Sequence, residues 1–203
     1  MKLYTYPGAP NPRRVHIYLA EKGITLPFEK VDIMTRANRT PEFLANVNPL
    51  GGLPVLALDD GTHIAESIAI CRYFEALQPN PPLFGRDARE QALVEMWNRR
   101  VELVLLNALG MVWIHGSPLT ARIVQQIPAN VEPARQRAAQ FMELLDRELD
   151  TREFVAGERI SVADISALIA IDFGKFIQVF PDPALANLAR WYAAMSARPS
   201  ASA

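Results

Sequence analysis

The chain has 203 residues, 50% of them hydrophobic and 21% charged, which fits a folded globular protein with room for one large domain or two small ones. Twenty-one Lys and Arg balance 22 Asp and Glu for a net charge of -1, so neither nucleic-acid binding by counterion release nor a polybasic membrane role is expected. The single cysteine excludes an internal disulfide framework and a Cys-rich zinc site, and MKLYTYPGAP lacks the apolar run of a signal peptide; the expectation is a reduced, cytoplasmic protein.

Lys2 to Tyr6 reads as a short strand broken by Pro7-Gly8. A helix follows, with Asn11 as N-cap, Pro12 at the first helical position and Gly23 closing it. Phe28 to Ile33 alternates as a second strand, and Thr40-Pro41 repeats the cap-then-proline signal for a short helix to about Asn46. Leu53 to Leu58 and Thr62 to Ala65 form a hairpin across Asp59-Asp60-Gly61, and Ile68 to Leu77 carries apolar residues at helical spacing. The order β-α-β-α-β-β-α implies a small mixed sheet covered by helices over residues 1–78.

Gln78-Pro79-Asn80-Pro81-Pro82 restricts φ repeatedly and removes backbone donors, so 79–86 reads as a stiff linker. Residues 87–203 read as all-helical. Helices are expected from Asp87 to about Ile114, Pro133 to Leu149, Ser161 to about Gln178 and Pro183 to Ala197, before a tail from Pro199 that should fray. Ser161 can cap its helix, with Asp164 reaching back and Ile160 stapling onto Ile165.

Asn48-Pro49-Leu50-Gly51-Gly52-Leu53-Pro54-Val55-Leu56, Glu66-Ser67-Ile68-Ala69-Ile70 and Ser161-Val162-Ala163-Asp164 occur in order at fitting spacing. With the α/β-then-all-α layout they resemble the glutathione transferase family along the whole chain. The run Asn11-Pro12-Arg13-Arg14-Val15 and the segment through His115 are most similar to fungal and bacterial members lacking an ordinary catalytic residue. The resemblance implies a thioredoxin-like N-terminal domain and a helical domain forming an electrophile pocket. It also implies glutathione as co-substrate, no prosthetic group or metal, and a homodimer.

The resemblance implies that Pro54 carries a cis peptide exposing the backbone of Leu53 to the cysteinyl part of glutathione; the alternative is a trans proline opening an edge strand. Glu66 and Ser67 sit where strand gives way to helix. A helix N-terminus suits a carboxylate and Glu66 an ammonium, matching the γ-glutamyl end; the alternative makes Ser67 an N-cap and Glu66 a solvated acid. Arg13, Arg14, Arg99 and Arg100 are candidates for the glycyl carboxylate, against a surface-charge reading, and Arg13 is taken as the ligand. Gly52 departs from the Lys, Gln or His frequent there, so a side-chain contact is missing.

A free thiol has a pKa of about 8.5, and lowering it two units takes about 2.7 kcal/mol. Where most related families supply Tyr, Ser or Cys, this chain has Pro7-Gly8-Ala9-Pro10-Asn11. Tyr4 and Tyr6 on the strand are candidates only if their faces point to the site, with packing against the helices as the competing reading. Asn11 is either an N-cap or an amide donor to the sulfur, beside the positive end of its helix. His115 is either a base acting through water held by Ser117 or a histidine favoured by the C-terminal dipole. Ala9, Met111, Trp113 and Phe176 are candidates for the electrophile pocket, with core packing as the competing reading for Met111, Trp113 and Phe176, while Cys71 reads as a buried hydrophobe. The expected reaction adds glutathione to hydrophobic electrophiles. Disulfide or peroxide reduction with glutathione, and a non-catalytic binding module, stand as alternatives.

Overall fold

The computed structural model describes residues 1–203. The chain divides into two compact units, Met1–Leu83 with Pro199–Ala203, and Phe84–Arg198. In the first, β1 (Lys2–Thr5) lies between β2 (Phe28–Lys30), which it pairs in parallel, and β3 (Val55–Ala57), which it pairs antiparallel; β4 (His63–Ala65) completes the order β2-β1-β3-β4. The sheet is the α/β fold expected, with α1 (Pro10–Lys22), α2 (Pro41–Asn46) and α3 (Ser67–Leu77) between and after its strands. Leu3, Val15, Ile17, Tyr18, Val55, Leu56, Ile70 and Phe74 are buried in its core, and Cys71 is buried with them.

Local chemistry moves several boundaries. β2 is shorter than Phe28 to Ile33: the Val31 N–H makes a last bond to the Thr5 carbonyl at 2.8 Å, and Asp32 Oδ1 then accepts from the Met34 N–H and turns the chain. α1 begins at Pro10 with Ala9 as N-cap, not at Pro12 with Asn11 as N-cap. Pro10 fits the first helical position by its fixed φ, and Pro12 still lies where no intrahelical donor is needed. Asn11 is therefore inside the first turn. Gly23 closes the helix at φ 65°, in the left-handed region. α2 is capped as expected, Thr40 Oγ1 accepting from the Phe43 N–H at 3.2 Å.

The second unit is helical, as expected. Asp87 caps α4 (Ala88–Arg100), which continues through a π-helical stretch at Val101–Leu106 into α5 (Asn107–Gly116). Then come α6 (Val131–Glu148), α7 (Val162–Phe176) and α8 (Ala186–Ser196). No helix is long and apolar enough to cross a membrane. Ser166 on α7 donates to Asn98 Oδ1 on α4 at 2.6 Å, and both residues are buried.

Asp164 organises this unit. Its Oδ2 accepts from the Ser161 N–H at 2.9 Å and from Ser161 Oγ at 2.8 Å. Its Oδ1 accepts from the Val155 N–H at 2.8 Å and Trp191 Nε1 at 3.0 Å. The helix cap thus doubles as a tie between α7, α8 and the loop before them. Burial pushes the Asp164 carboxyl up, while these donors pull against it.

The expectation of a fraying tail is overturned. Pro199–Ser202 forms a 3₁₀ turn packed on α1, where Arg13 Nη2 donates to the Ala201 carbonyl at 3.0 Å and Ser200 bonds Glu21. The side chains of α1 supply partners that a local reading of the tail does not contain.

Asp164→Ala leaves four donors without their acceptor, so unfolding in urea should show a loss of about 3 kcal/mol or more. Ser161→Ala should lose only about 1 kcal/mol, since it removes a single cap. Equal effects for the two variants would show that Asp164 is a helix cap and nothing more.

Candidate functional site

The segment Asn48–Pro54 is shaped by side chains bonding its backbone. Buried Asn48 accepts from the Leu50 N–H through Oδ1 and donates through Nδ2 to the Gly52 carbonyl, both at 3.0 Å. Asn38 Nδ2 donates to the Gly51 carbonyl and Arg39 Nη1 to the Leu50 carbonyl, each at 2.7 Å. Gly51 has φ 61°, and a Cβ there would stand 2.7 Å from the Asn38 carbonyl oxygen, so the turn requires glycine. The Leu53–Pro54 peptide is cis, and Leu53 lies just before β3, outside its paired register.

The turn from β4 into α3 places Glu66, not Ser67, at the N-cap, correcting the capping alternative for Ser67. Glu66 is exposed and holds φ 68°, ψ 118°. That conformation costs a residue with a Cβ about 1–3 kcal/mol. Ser67, at the first helical position, is buried, and its Oγ accepts from Arg14 Nη1 at 2.6 Å. The same Arg14 nitrogen lies 3.4 Å from Asn11 Oδ1. Arg14 itself is 1% exposed, so the surface-charge reading fails there.

The N-termini of α1 and α3 lack the partners found at α2, α4, α7 and α8, while α6 has Glu132 in its first turn but no capping side chain and α5 continues from the π-helical stretch. Neither α1 nor α3 has a capping side chain or an acidic residue in its first turn. By contrast α2, α4 and α7 open on Thr40, Asp87 and the Ser161–Asp164 box, and the α8 Leu188 N–H is taken by Asp146 Oδ1 at 2.9 Å. The N–H groups and partial positive charge of α1 and α3 are thus left without an anionic side chain of their own.

Other first-unit candidates are placed differently. Ala9 donates its N–H to the Tyr6 carbonyl at 2.9 Å and has no side chain to cap α1. Arg13 is anchored on Ala201. Tyr4 packs edge-on against Phe43 and lies beside His63, and Lys30 sits over the Tyr6 ring. His16 stacks edge-on against Phe28 and bonds Thr5 Oγ1 at 2.9 Å, and burial pushes its imidazole down.

In the second unit, Trp113 meets Phe173 and Phe176 with ring centroids 6.1 and 5.6 Å apart, and Phe176 is exposed on its outer side. Met111 is half-buried on the same helix as Trp113. His115 Nδ1 accepts from the Ile127 N–H at 3.2 Å, so the neutral ring carries its proton on Nε2. Ser117 Oγ accepts from the Leu119 N–H at 3.3 Å, and the two side chains do not bond each other. Thr120 and Gln126 bond the Ile114 and Ser117 carbonyls at the end of α5.

The structure therefore joins Asn11 and Ser67 through Arg14, sets Glu66 next to Ser67 in the chain, and clusters Trp113 with Phe176. Arg14, expected as a glycyl-carboxylate candidate or a surface charge, and Asn48, expected only as part of a motif, are instead buried residues that organise the backbone and side chains around them. Helical spacing held a signal for Arg14, which shares a face with Val15 and Tyr18.

Comparison with known proteins agrees with this geometry. The sequence model described as glutathione S-transferase, N-terminal domain, matches residues 9–77, and that for the C-terminal domain matches residues 114–199. The chain belongs to the glutathione S-transferase family. It is 36% identical to Glutathione S-transferase 2 of Saccharomyces cerevisiae over 98% of this chain and 87% of that protein. A glutathione S-transferase domain-containing protein from Marinobacter aquaeolei VT8 superposes with TM-score 0.94 at 40% identity, over 98% of this chain and 99% of that one. Gtt2 from Saccharomyces cerevisiae superposes with TM-score 0.93 at 35% identity, over 100% of this chain and 99% of that one. Both the thioredoxin-like sheet and the helical unit thus have counterparts in these structures.

Glu66→Gly removes the positive-φ penalty, so its thermal melt should be unchanged or raised, by up to about 1 kcal/mol of stability. Calorimetric titration with glutathione should at the same time show weaker binding. A destabilised variant would mean that the Glu66 side chain holds the turn.

Proposed function

We propose that this glutathione S-transferase conjugates reduced glutathione to hydrophobic electrophiles, acting as a cytoplasmic homodimer with glutathione as co-substrate and no prosthetic group. What carries the reading is the unguarded N-terminus of α3, with Ser67 at its first position and Glu66 beside it. In this reading the γ-glutamyl carboxylate receives the α3 N–H groups and the Ser67 hydroxyl, and the ammonium meets Glu66. The cysteinyl backbone pairs with Leu53 ahead of cis Pro54, and Arg13 meets the glycyl carboxylate only by sharing its guanidinium with the Ala201 carbonyl. The family relationship supports the homodimer.

The thiolate lies at the N-terminus of α1, where Ala9 offers no competing side chain and Asn11 supplies an amide donor. In the helical unit Met111, Trp113 and Phe176 supply apolar surface for the electrophile. His115, its Nδ1 engaged by Ile127, contributes an Nε2–H donor, and Ser117 lies at the same helix end. Its base role would require giving up that bond.

The test is an ultraviolet titration of the thiolate with glutathione bound. The expected apparent pKa lies well below the value of about 8.5 for a free thiol. Asn11→Ala should retain binding and raise it by about one unit, the loss of roughly one hydrogen bond to a charged group. An unshifted thiol with efficient turnover of a glutathione disulfide would replace conjugation by reduction. Binding with neither shift nor turnover would leave a binding module, and no binding would overturn the reading.

A further inference from the structure

A guanidinium carries five N–H donors and no acceptor, and stays charged at any pH a protein survives. Each contact Arg14 makes therefore dictates the orientation of its partner. Ser67 Oγ must receive Arg14 Nη1 on a lone pair at 2.6 Å, so the single hydroxyl hydrogen is directed elsewhere. Asn11 must turn Oδ1 toward Arg14, because the opposite amide orientation would set its NH₂ against the cation. Its two amide hydrogens then face away from Arg14. No other hydrogen bond of Ser67 Oγ within the protein takes up the hydroxyl hydrogen, although the residue is buried.

We infer that Arg14 is a positioning residue that presets two donors, the Ser67 hydroxyl and the Asn11 amide, for the two anionic groups of one ligand. This rests on the glutathione reading, in which those anions are the γ-glutamyl carboxylate and the thiolate. Arg14 touches neither. It acts by fixing the direction of hydrogens that would otherwise rotate or flip, and its position one turn inside α1 links that helix to the start of α3.

Calorimetry with two thiol-blocked ligands separates this role from general support of the fold. One is S-methylglutathione; the other is its analogue with γ-aminobutyrate in place of the γ-glutamyl residue, which keeps the amine and lacks the carboxylate. Arg14→Met should weaken S-methylglutathione by about tenfold or more and the analogue by less than about twofold. Arg14→Met/Ser67→Ala should bind no more weakly than Ser67→Ala alone, since both remove the same preset hydroxyl. With glutathione itself, Arg14→Met should also raise the apparent thiol pKa. Should Arg14→Met not fold, Arg14→Lys carries the same comparison, because an ammonium keeps the charge without the planar fork. Equal weakening of both ligands, or additive effects in the double variant, overturns the positioning role. Wild-type protein that binds neither ligand overturns the glutathione reading itself.

Discussion

Three polar side chains spaced four residues apart on the buried face of α1 fix how that helix lies against α3. Arg14 donates to Ser67 at the start of α3, and the Tyr18 hydroxyl donates to Glu75 Oε2 at 2.5 Å. Lys22 pairs with Glu75 and donates to the Gln78 carbonyl at 2.8 Å and to that of Pro81. Burying an ammonium and a guanidinium costs several kcal/mol per ion unless acceptors surround them. The penalty for a shifted register is correspondingly steep. Apolar packing between two helices tolerates sliding and exchange of similar side chains, but this seam does not.

That rigidity matters because α1 and α3 both begin without a capping side chain or a first-turn acid. A helix end is ordinarily satisfied by its own Ser, Thr or Asp, as Thr40, Asp87 and Ser161 do elsewhere in this chain. Leaving the α1 and α3 ends open gives up about 1 kcal/mol of capping at each. The seam offsets that loss and holds the two open ends in fixed register. Glu66 adds further local cost through its positive φ, compensated by the hydrogen-bonded start of α3 behind it.

The sequence made legible those features whose causes are local. Thr40-Pro41, the Ser161–Asp164 box and Gly23 each carry their signal within four residues, and each stands as read. The misplaced start of α1 shows the limit. Asn11-Pro12 and Ala9-Pro10 both satisfy a proline-first rule, and the better capping side chain pointed to the wrong one. Asn11 instead lies inside the first turn, its Oδ1 3.4 Å from Arg14 Nη1, and that same nitrogen meets Ser67, 53 residues beyond Arg14. The tail is a similar case, since the residues that order it, Arg13 and Glu21, lie at the other end of the chain. Asp164 was read as a cap, and its bonds to Val155 and Trp191 depend on tertiary placement that spacing does not encode.

The absence of Tyr, Ser or Cys from Pro7 to Asn11 is not a gap in the chemistry of the proposed site. Lowering a thiol pKa by two units takes about 2.7 kcal/mol of preferential stabilisation of the anion. An uncapped helix N-terminus supplies about 0.3–1 kcal/mol, rising to about 2 in partly buried geometry. One hydrogen bond from a fixed amide to a charged acceptor supplies about 1.5–3. The two together reach the requirement without any group that takes the proton, which can leave to solvent. A base is then unnecessary, in keeping with His115 Nδ1 being committed to the Ile127 N–H. Since a lower pKa also lowers intrinsic nucleophilicity, most of the remaining acceleration must come from holding the thiolate in place. Donors whose directions are set by a buried cation do that better than a hydroxyl or amide left free to turn.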